Sequence, residues 1–179
     1  TSSNTTVVPV ANVVISGTAP NCDVVVTPAL NQSGTSNITL TVHDYETTIA
    51  PNNLTAASSF TMTVTAVNDA PTISAIGAQS TNEDTASSAI AFTIGDVDNT
   101  LVCTSANVTV ASTNTTLVPN ASIVVAGTFP NCTVVATPAL NQTGTTDITL
   151  TVNDHEGVTL PLNQTNTSTF TLTVNAVND

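Results

Sequence analysis

The residues of this chain that could do chemistry are almost all carboxylates, and they stand in short clusters. The chain has twelve Asp and Glu residues, no Lys and no Arg, for a formal charge of −12. Ten of the twelve lie in or beside the segments HDYE, NDAP, NED, DVDN, NDHE and the final ND; the exceptions are Asp23 and Asp147. Clustered carboxylates repel one another unless a cation lies among them. Oxygen ligands without His or Cys suit calcium, which takes about six to eight of them. The clusters therefore predict Ca²⁺ sites.

The same composition excludes several classes of partner and activity. Nucleic acids and anionic membranes are held by Lys and Arg, so neither is an expected partner of this chain. No apolar run approaches the roughly 18 residues of a membrane span, so membrane insertion is not expected. His43 aligns with Asn153 and His155 with Tyr45 in the repeat described next, so neither histidine belongs to a repeated design. We therefore predict that the chain is not an enzyme and has no catalytic residues.

A long internal repeat sets the domain organisation. Shifting the sequence by 110 positions aligns residues 1–69 with residues 111–179 without a gap, and 42 of these 69 positions are identical. Residues 70–179 are therefore expected to form one complete 110-residue repeat. Residues 1–69 match the C-terminal two-thirds of such a repeat, whose remaining strands would lie upstream or come from another copy. The expected partners are neighbouring copies of the repeat, in a tandem array or a homopolymeric filament.

Within the complete repeat, short β-branched segments alternate with Gly, Pro, Asn and Asp. They predict seven strands, A to G, with the sequences TISAIGA, AIAFTIG, LVCTSANVTVA, SIVVAG, CTVVATP, TDITLTV and TFTLTVNAV. Seven such strands in about 110 residues are typical of an immunoglobulin-like sandwich. The predicted fold class is therefore all-β, with tandem immunoglobulin-like (cadherin-like) seven-stranded β-sandwiches.

That topology predicts where the acidic segments lie. The B–C and F–G loops should lie beside the linker at the start of the repeat, and the A–B loop should lie at the far end. The predicted metal ligands are Asn68, Asp69, Asp96, Asp98, Asn99, Asp154 and Glu156 at the start, Glu83, Asp84, Asn178 and Asp179 at the far end, and Asp44 and Glu46 in the first copy. Each junction between successive repeats would then collect acids from both sides. The alternative is that Asp and Asn serve only as turn residues with solvated charges.

The segments VNDAP, NED, DVDN and VNDHEG, in this order, resemble the cadherin-like repeats of bacterial and archaeal surface proteins and adhesins. This resemblance covers essentially the whole chain. It implies Ca²⁺ at the junctions, held here by Asp69, Asp96, Asp98 and Asp154, with Glu83 and Asp179 serving the next junction. The chain departs from true cadherins because it has no Leu-Asp-Arg-Glu segment and a shorter linker motif.

Three cysteines bear on the compartment. Cys103 and Cys132 both follow loops at the linker end, so they could meet as a disulfide, which would favour an extracellular or cell-surface location. Cys22 is the counterpart of Cys132, and its partner would fall before Thr1. The alternative is three buried free thiols.

Eleven Asn-x-Ser/Thr sequons are candidate N-glycosylation sites. They are Asn4, Asn31, Asn37, Asn53, Asn107, Asn114, Asn120, Asn131, Asn141, Asn163 and Asn166.

Two functions remain open at this stage. The first is a calcium-stiffened stalk or filament of a surface protein. The second is a carbohydrate- or receptor-binding adhesin module, whose partners would be host-cell or matrix glycans. Scarcity of aromatic residues, with one Tyr, four Phe and no Trp, favours the first.

Overall fold

The computed structural model describes residues 1–44, 54–155 and 163–178, and the chain divides into two units, Thr1–Val67 and Asn68–Asp179. Regular structure in these ranges is β-strand apart from two short 3-10 turns, Val10–Asn12 and Asn120–Ser122. The predicted all-β class is therefore confirmed. In the part of the chain that the structure describes, no helix is long and apolar enough to cross a bilayer.

Unit 1 consists of two antiparallel strand pairs. Strand β1 (Val13–Thr18) pairs with β2 (Asn21–Val26), and β3 (Gly34–His43) pairs with β4 (Thr55–Val64). Val7, Val8 and Ile38 are buried at its centre, and a few half-buried side chains pack around them. This is a small core, because most apolar side chains of unit 1 keep part of their surface exposed.

Unit 2 contains two four-stranded sheets. Its strands are β5 (Thr72–Ile73), β6 (Gln79–Asn82), β7 (Ile90–Gly95), β8 (Val108–Ser112), β9 (Ile123–Thr128), β10 (Asn131–Ala136), β11 (Gly144–Asn153) and β12 (Thr165–Asn175). One sheet has the order β5-β7-β10-β9 and the other the order β6-β12-β11-β8. All pairings are antiparallel except that of β6 with β12, which is parallel.

The core of unit 2 follows from the period-2 alternation of its strands. In β11, Thr146, Ile148, Leu150 and Val152 are buried while the residues between them are more exposed. The buried positions of β7, β10 and β12 belong to the same apolar cluster. The two sheets therefore enclose one core in a sandwich-like arrangement.

The structure corrects the sequence prediction at two strands. Of the predicted strand A, residues 72–78, only β5 is a strand. The next strand, β6, begins just after the predicted segment and belongs to the other sheet, and the buried Ile76 lies between the two strands. The predicted strand C is too long, because residues 101–107 form turns and only β8 is extended. Its first half instead buries Leu101 and Cys103, and the side chain of Asn107 bonds to the Val102 N–H at 2.9 Å.

Candidate functional site

The acidic loop that follows β7 lies beside the first residues of unit 2. The Asp69 main-chain N–H donates to Oδ2 of Asp98 at 2.7 Å. Within the loop, Oδ1 of Asp96 accepts the N–H groups of Asp98 and Asn99 at 2.8 and 3.0 Å. These bonds form a side-chain-capped turn of the kind that Asp favours. The turn holds the Asp98 carboxylate against the chain at residue 69.

Asp154, at the end of β11, joins three parts of the same end. Its side chain is buried, with 4% of its surface exposed. It accepts the Gln164 N–H at 3.0 Å from each oxygen, and Oδ2 also accepts Nδ2 of Asn68 at 2.8 Å. The Gln164 side chain returns to the Asn68 carbonyl at 2.7 Å. The structure therefore brings Asn68, Asp69, the turn of Asp96 and Asp154 to one end of unit 2.

One buried carboxylate oxygen at this end lacks a hydrogen-bond donor. Oδ2 of Asp96 is inaccessible to solvent and has no hydrogen-bond partner within the described residues. The side-chain nitrogen of Asn99 is also inaccessible to solvent and has no hydrogen-bond partner within the described residues. Rotating that amide by half a turn would exchange its nitrogen for its oxygen at this place. A buried carboxylate oxygen without a donor is destabilising by about 1–3 kcal/mol or more. A hard cation would satisfy it, so the donor chemistry at this end fits calcium.

The carboxylates alone do not complete a metal shell. In residues 1–44, 54–155 and 163–178, no three His, Cys, Asp or Glu side chains are grouped so that they could hold an ion. Asp98 and Asp154 also use oxygens to accept hydrogen bonds. A cation here would therefore need amide, main-chain or water oxygens in addition. Glu156, the other predicted ligand of this group, lies outside the described residues.

The predicted ligands at the far end of unit 2 have structural partners. Glu83 accepts the Val177 N–H at 2.7 Å, and its own N–H donates to the Asn175 carbonyl at 2.9 Å. Asp84 accepts the Asn141 N–H at 2.8 Å. The first carboxylate thus holds the last described segment of the chain, and the second holds the loop before β11. Asn178 is exposed, and Asp179 lies outside the described residues.

Unit 1 repeats only part of this arrangement. Asp44, the counterpart of Asp154, accepts the Leu54 N–H at 2.9 Å, as Asp154 accepts that of Gln164. Both carboxylates therefore join the two strands of a hairpin at the end where the chain passes from one strand to the next. Glu46 lies outside the described residues.

The disulfide is present in unit 2. Cys103 and Cys132 are bonded with a Cα–Cα distance of 5.4 Å, and both are buried. The alternative of free thiols is therefore wrong for these two residues. Cys22 is free and exposed.

The sequons differ in how far their side chains are engaged. Asn107 is held on both sides, since Oδ1 accepts the Val102 N–H and Nδ2 donates to the Asn153 carbonyl at 2.8 Å. Asn4, Asn114, Asn120 and Asn166 also make side-chain hydrogen bonds. Asn31, Asn37, Asn131, Asn141 and Asn163 are exposed, and Asn53 lies outside the described residues.

Sequence reasoning missed Gln164, which bonds both Asp154 and Asn68. Its counterpart in the first copy is Leu54, so comparison of the repeats points away from it. The main-chain N–H at this position donates to an Asp carboxylate in both units, from Leu54 in unit 1 and from Gln164 in unit 2. The side-chain bond to Asn68 is made by Gln164 alone. No sequence signal identifies this residue.

Comparisons with known proteins give a distant structural likeness. No model of a known protein family matches the chain, and no curated protein matches it. Among solved structures, it is similar to domains 4 and 5 of the S-layer protein SbsC, with 19% identity, a TM-score of 0.43, and coverage of 97% of this chain and 68% of that one. Domains 1-6 of the surface layer protein SbsC give 19% identity and a TM-score of 0.43 over 99% of this chain and 20% of that one. At this level, the likeness says nothing about activity or ligands.

Proposed function

We propose that this chain is a non-catalytic structural repeat of an extracellular array, and that calcium bound at the start of unit 2 stiffens it. The observation that carries the proposal is the convergence of Asn68, Asp69, the Asp96 turn and Asp154, with the buried, unpartnered Oδ2 of Asp96 among them. The gapless repeat supplies the array, and the disulfide supports an oxidising, extracellular compartment.

The strand order of unit 2 supports an immunoglobulin-like assignment within this proposal. When β5 is labelled A, β6 is labelled A′ and β7 to β12 are labelled B, C, D, E, F and G in chain order, the two sheets have the orders A-B-E-D and A′-G-F-C. That is the strand order of an immunoglobulin-like sandwich. In such a fold, the loops after strands B and F lie at the end where the chain enters, which is the end that carries Asp96, Asp98 and Asp154.

Calcium would be held by Asp96 and Asp98, with further oxygens from Asn68, Asp69 or Asn99. The ion supplies charge neutralisation among carboxylates that have no Lys or Arg to pair with. Asp154 acts mainly through its hydrogen bonds, which fix Asn68 and Gln164. The chain's own groups therefore position residues 68–69, and the ion strengthens that attachment.

One surface groove of unit 2 is not itself a candidate catalytic site. It has a volume of about 440 Å³ and lies beside β8 and β9. Its lining consists of Thr, Ser, Val and Ile side chains, without a titratable group. A site of acid–base or nucleophilic catalysis needs a positioned base, which this lining does not supply.

Calorimetric titration of the chain with Ca²⁺ tests the site. We expect wild-type protein to bind Ca²⁺ and Asp96→Asn to bind it at least about tenfold more weakly, because the variant keeps an acceptor for the turn but loses the charge. Asp147→Asn is the matched control, since it removes one carboxylate outside the clusters and places there the residue found at position 37. Equal affinity of wild type and Asp96→Asn would disprove the site.

Small-angle scattering tests the stiffening separately. We expect the distribution of chain dimensions to narrow when Ca²⁺ is added and to broaden with a chelator, because the attached segment connects to unit 1. If the protein bound Ca²⁺ but its distribution of chain dimensions did not change, the calcium site would stand and the stiffening role would be wrong.

A further inference from the structure

The two units share a four-strand pattern, and among the described residues further strands lie along its outer edges only in unit 2. In unit 2, β7 pairs with β10, β8 with β11, and β6 with β12. The counterparts of β10, β11 and β12 in unit 1 are β2, β3 and β4. Within the described residues, these pair only with β1 and with each other, apart from one bridge between Ser2 and Ile38. Thr1 and Ser3 already bond the outer edge of β3 at Thr39 and Asn37. Within the described residues, the part of that edge after Thr39 and the outer edges of β2 and β4 have no strand partner.

Side-chain exposure identifies the same edges. Val42 in β3 is 69% exposed, whereas its counterpart Val152 in β11 is 0% exposed. Phe60 in β4 is 39% exposed, whereas its counterpart Phe170 in β12 is 3% exposed. The sequence is the same at both pairs, so the difference comes from what covers these positions. In unit 2, residues of β8 pair alongside Val152.

One pair of equivalent positions on the outer faces shows no such difference. Val14 is 54% exposed and its counterpart Val124 is 58% exposed. Exposed valines of this kind are ordinary surface residues in both units. The exposure of Val42 and Phe60 is therefore special to unit 1, since their counterparts are buried in the core of unit 2.

In unit 2, one continuous segment supplies all of the strands that pair with the outer edges of β10, β11 and β12. It runs from β5 to β8 and contains Cys103, which bonds Cys132 of β10. Cys22 of β2 holds the position of Cys132, where it is free and exposed. The unpaired strand edges, Val42, Phe60 and Cys22 thus all correspond to positions that contact or adjoin this one segment in unit 2.

We propose that unit 1 is a docking site for a further copy of this segment, a stretch of the repeat with the pattern of residues 70–110. Its strands pair with the outer edges of β2, β3 and β4, and they cover Val42 and Phe60. Its cysteine forms a disulfide with Cys22. This deepens the proposed array by naming the partner of unit 1, and it does not depend on calcium.

The disulfide step requires an electron acceptor. Two thiols, that of Cys22 and that of the docked segment, lose two protons and two electrons as the S–S bond forms. A low-molecular-weight disulfide such as oxidised glutathione accepts them and leaves as two thiols. Residues 70–110 of the same chain are not available for this role, because Cys103 is already bonded in unit 2.

The test adds a second copy of residues 70–110 before Thr1 of the full chain, in chelator and a glutathione redox buffer. We expect peptide mapping to find Cys22 bonded to the added cysteine. We also expect the amide of Thr41 to exchange at least about tenfold more slowly than in the original chain, because the part of the β3 edge after Thr39 becomes paired. Because calcium is absent, failure here is distinguishable from failure of the calcium site.

A fusion with the same composition in scrambled order, and with its cysteine in place, is the matched control. If the scrambled segment formed the disulfide with Cys22 and slowed amide exchange in β3 as much as the true segment does, the result would show only a reactive thiol and would overturn the proposal. So would a free Cys22 and unchanged exchange in the true fusion. A Cys22–Cys22 dimer of the original chain with protected β3 amides would identify a second unit 1 as the occupant, which also overturns it.

Discussion

The main-chain N–H of Asp69 and the carboxylate of Asp98 are joined by a 2.7 Å hydrogen bond. This bond connects the first residues of unit 2 to the loop after β7, and it needs no metal. The acids of this end therefore have a structural role besides the proposed calcium site. Asp98 has to be tested for both roles.

In chelator, we expect Asp98→Ala to lower the free energy of unfolding of unit 2 by about 1 kcal/mol, because the Asp69 N–H loses a charged acceptor. Asp98→Asn keeps an acceptor oxygen and should change it by less than about 0.5 kcal/mol. Hydrogen exchange with mass spectrometry, using pepsin fragments of unit 2, measures both. Equal losses in the two variants would show that charge, rather than the bond, stabilises this end.

Two valines at equivalent positions should respond differently to the same change. Val152→Ala removes methyl groups from a closed core and should cost about 2–3 kcal/mol. Val42→Ala should cost less than about 0.5 kcal/mol, because Val42 is already mostly exposed. Urea unfolding followed by hydrogen exchange in each unit compares the two. A large cost at Val42 in the original chain would mean that its face is already covered in solution.

The disulfide should account for a substantial part of the stability of unit 2. Cys103 and Cys132 are 29 residues apart, so their bond restricts a loop of moderate length in the unfolded chain. Cys103→Ser should lower the free energy of unfolding of unit 2 by about 3–4 kcal/mol in the loop-entropy account. Wild-type protein whose disulfide has been reduced should have the same free energy of unfolding of unit 2 as this variant.

Cys22→Ser is the control for the disulfide prediction, since Cys22 is free and exposed. It should leave the unfolding of both units unchanged. If the oxidised and reduced wild-type proteins unfolded at the same urea concentration, the predicted contribution of the disulfide would be wrong.

Much of the fold could be predicted because the repeat and the strand alternation are local signals. The strands from β9 to β12 follow period-2 patterns that recur in both copies. The short length of β5 and the separate strand β6 could not be predicted, since the apolar pattern does not show that the chain crosses between sheets near Ile76. The turn before β8 was also missed, because Leu101 and Cys103 alternate like strand residues while the Asn107 side chain holds a turn.

The candidate site was predictable only in its coarse placement. Sandwich topology placed Asp96, Asp98 and Asp154 at the end that carries Asn68, and the hydrogen bonds bring them there. The bonds that occupy their oxygens depend on loop conformation. A linear sequence does not distinguish a carboxylate that accepts main-chain N–H groups from one left unpartnered, as Oδ2 of Asp96 is.

Glycan occupancy should follow side-chain engagement if the chain is expressed in a host that modifies Asn-x-Ser/Thr sites. The oligosaccharide is attached to the side-chain nitrogen, so an exposed asparagine is favoured over one whose amide is bonded within the fold. We expect glycans at Asn37 and Asn131, which are exposed, and none at Asn107, whose nitrogen donates to the Asn153 carbonyl at 2.8 Å. Mass spectrometry after enzymatic release, which converts each occupied Asn to Asp, measures occupancy at every site. Thr39→Ala, which removes the sequon at Asn37, is the control and should abolish only that signal. Full occupancy at Asn107 would mean that the chain is modified before the Asn107 turn forms, and folded-state exposure would then not govern the pattern.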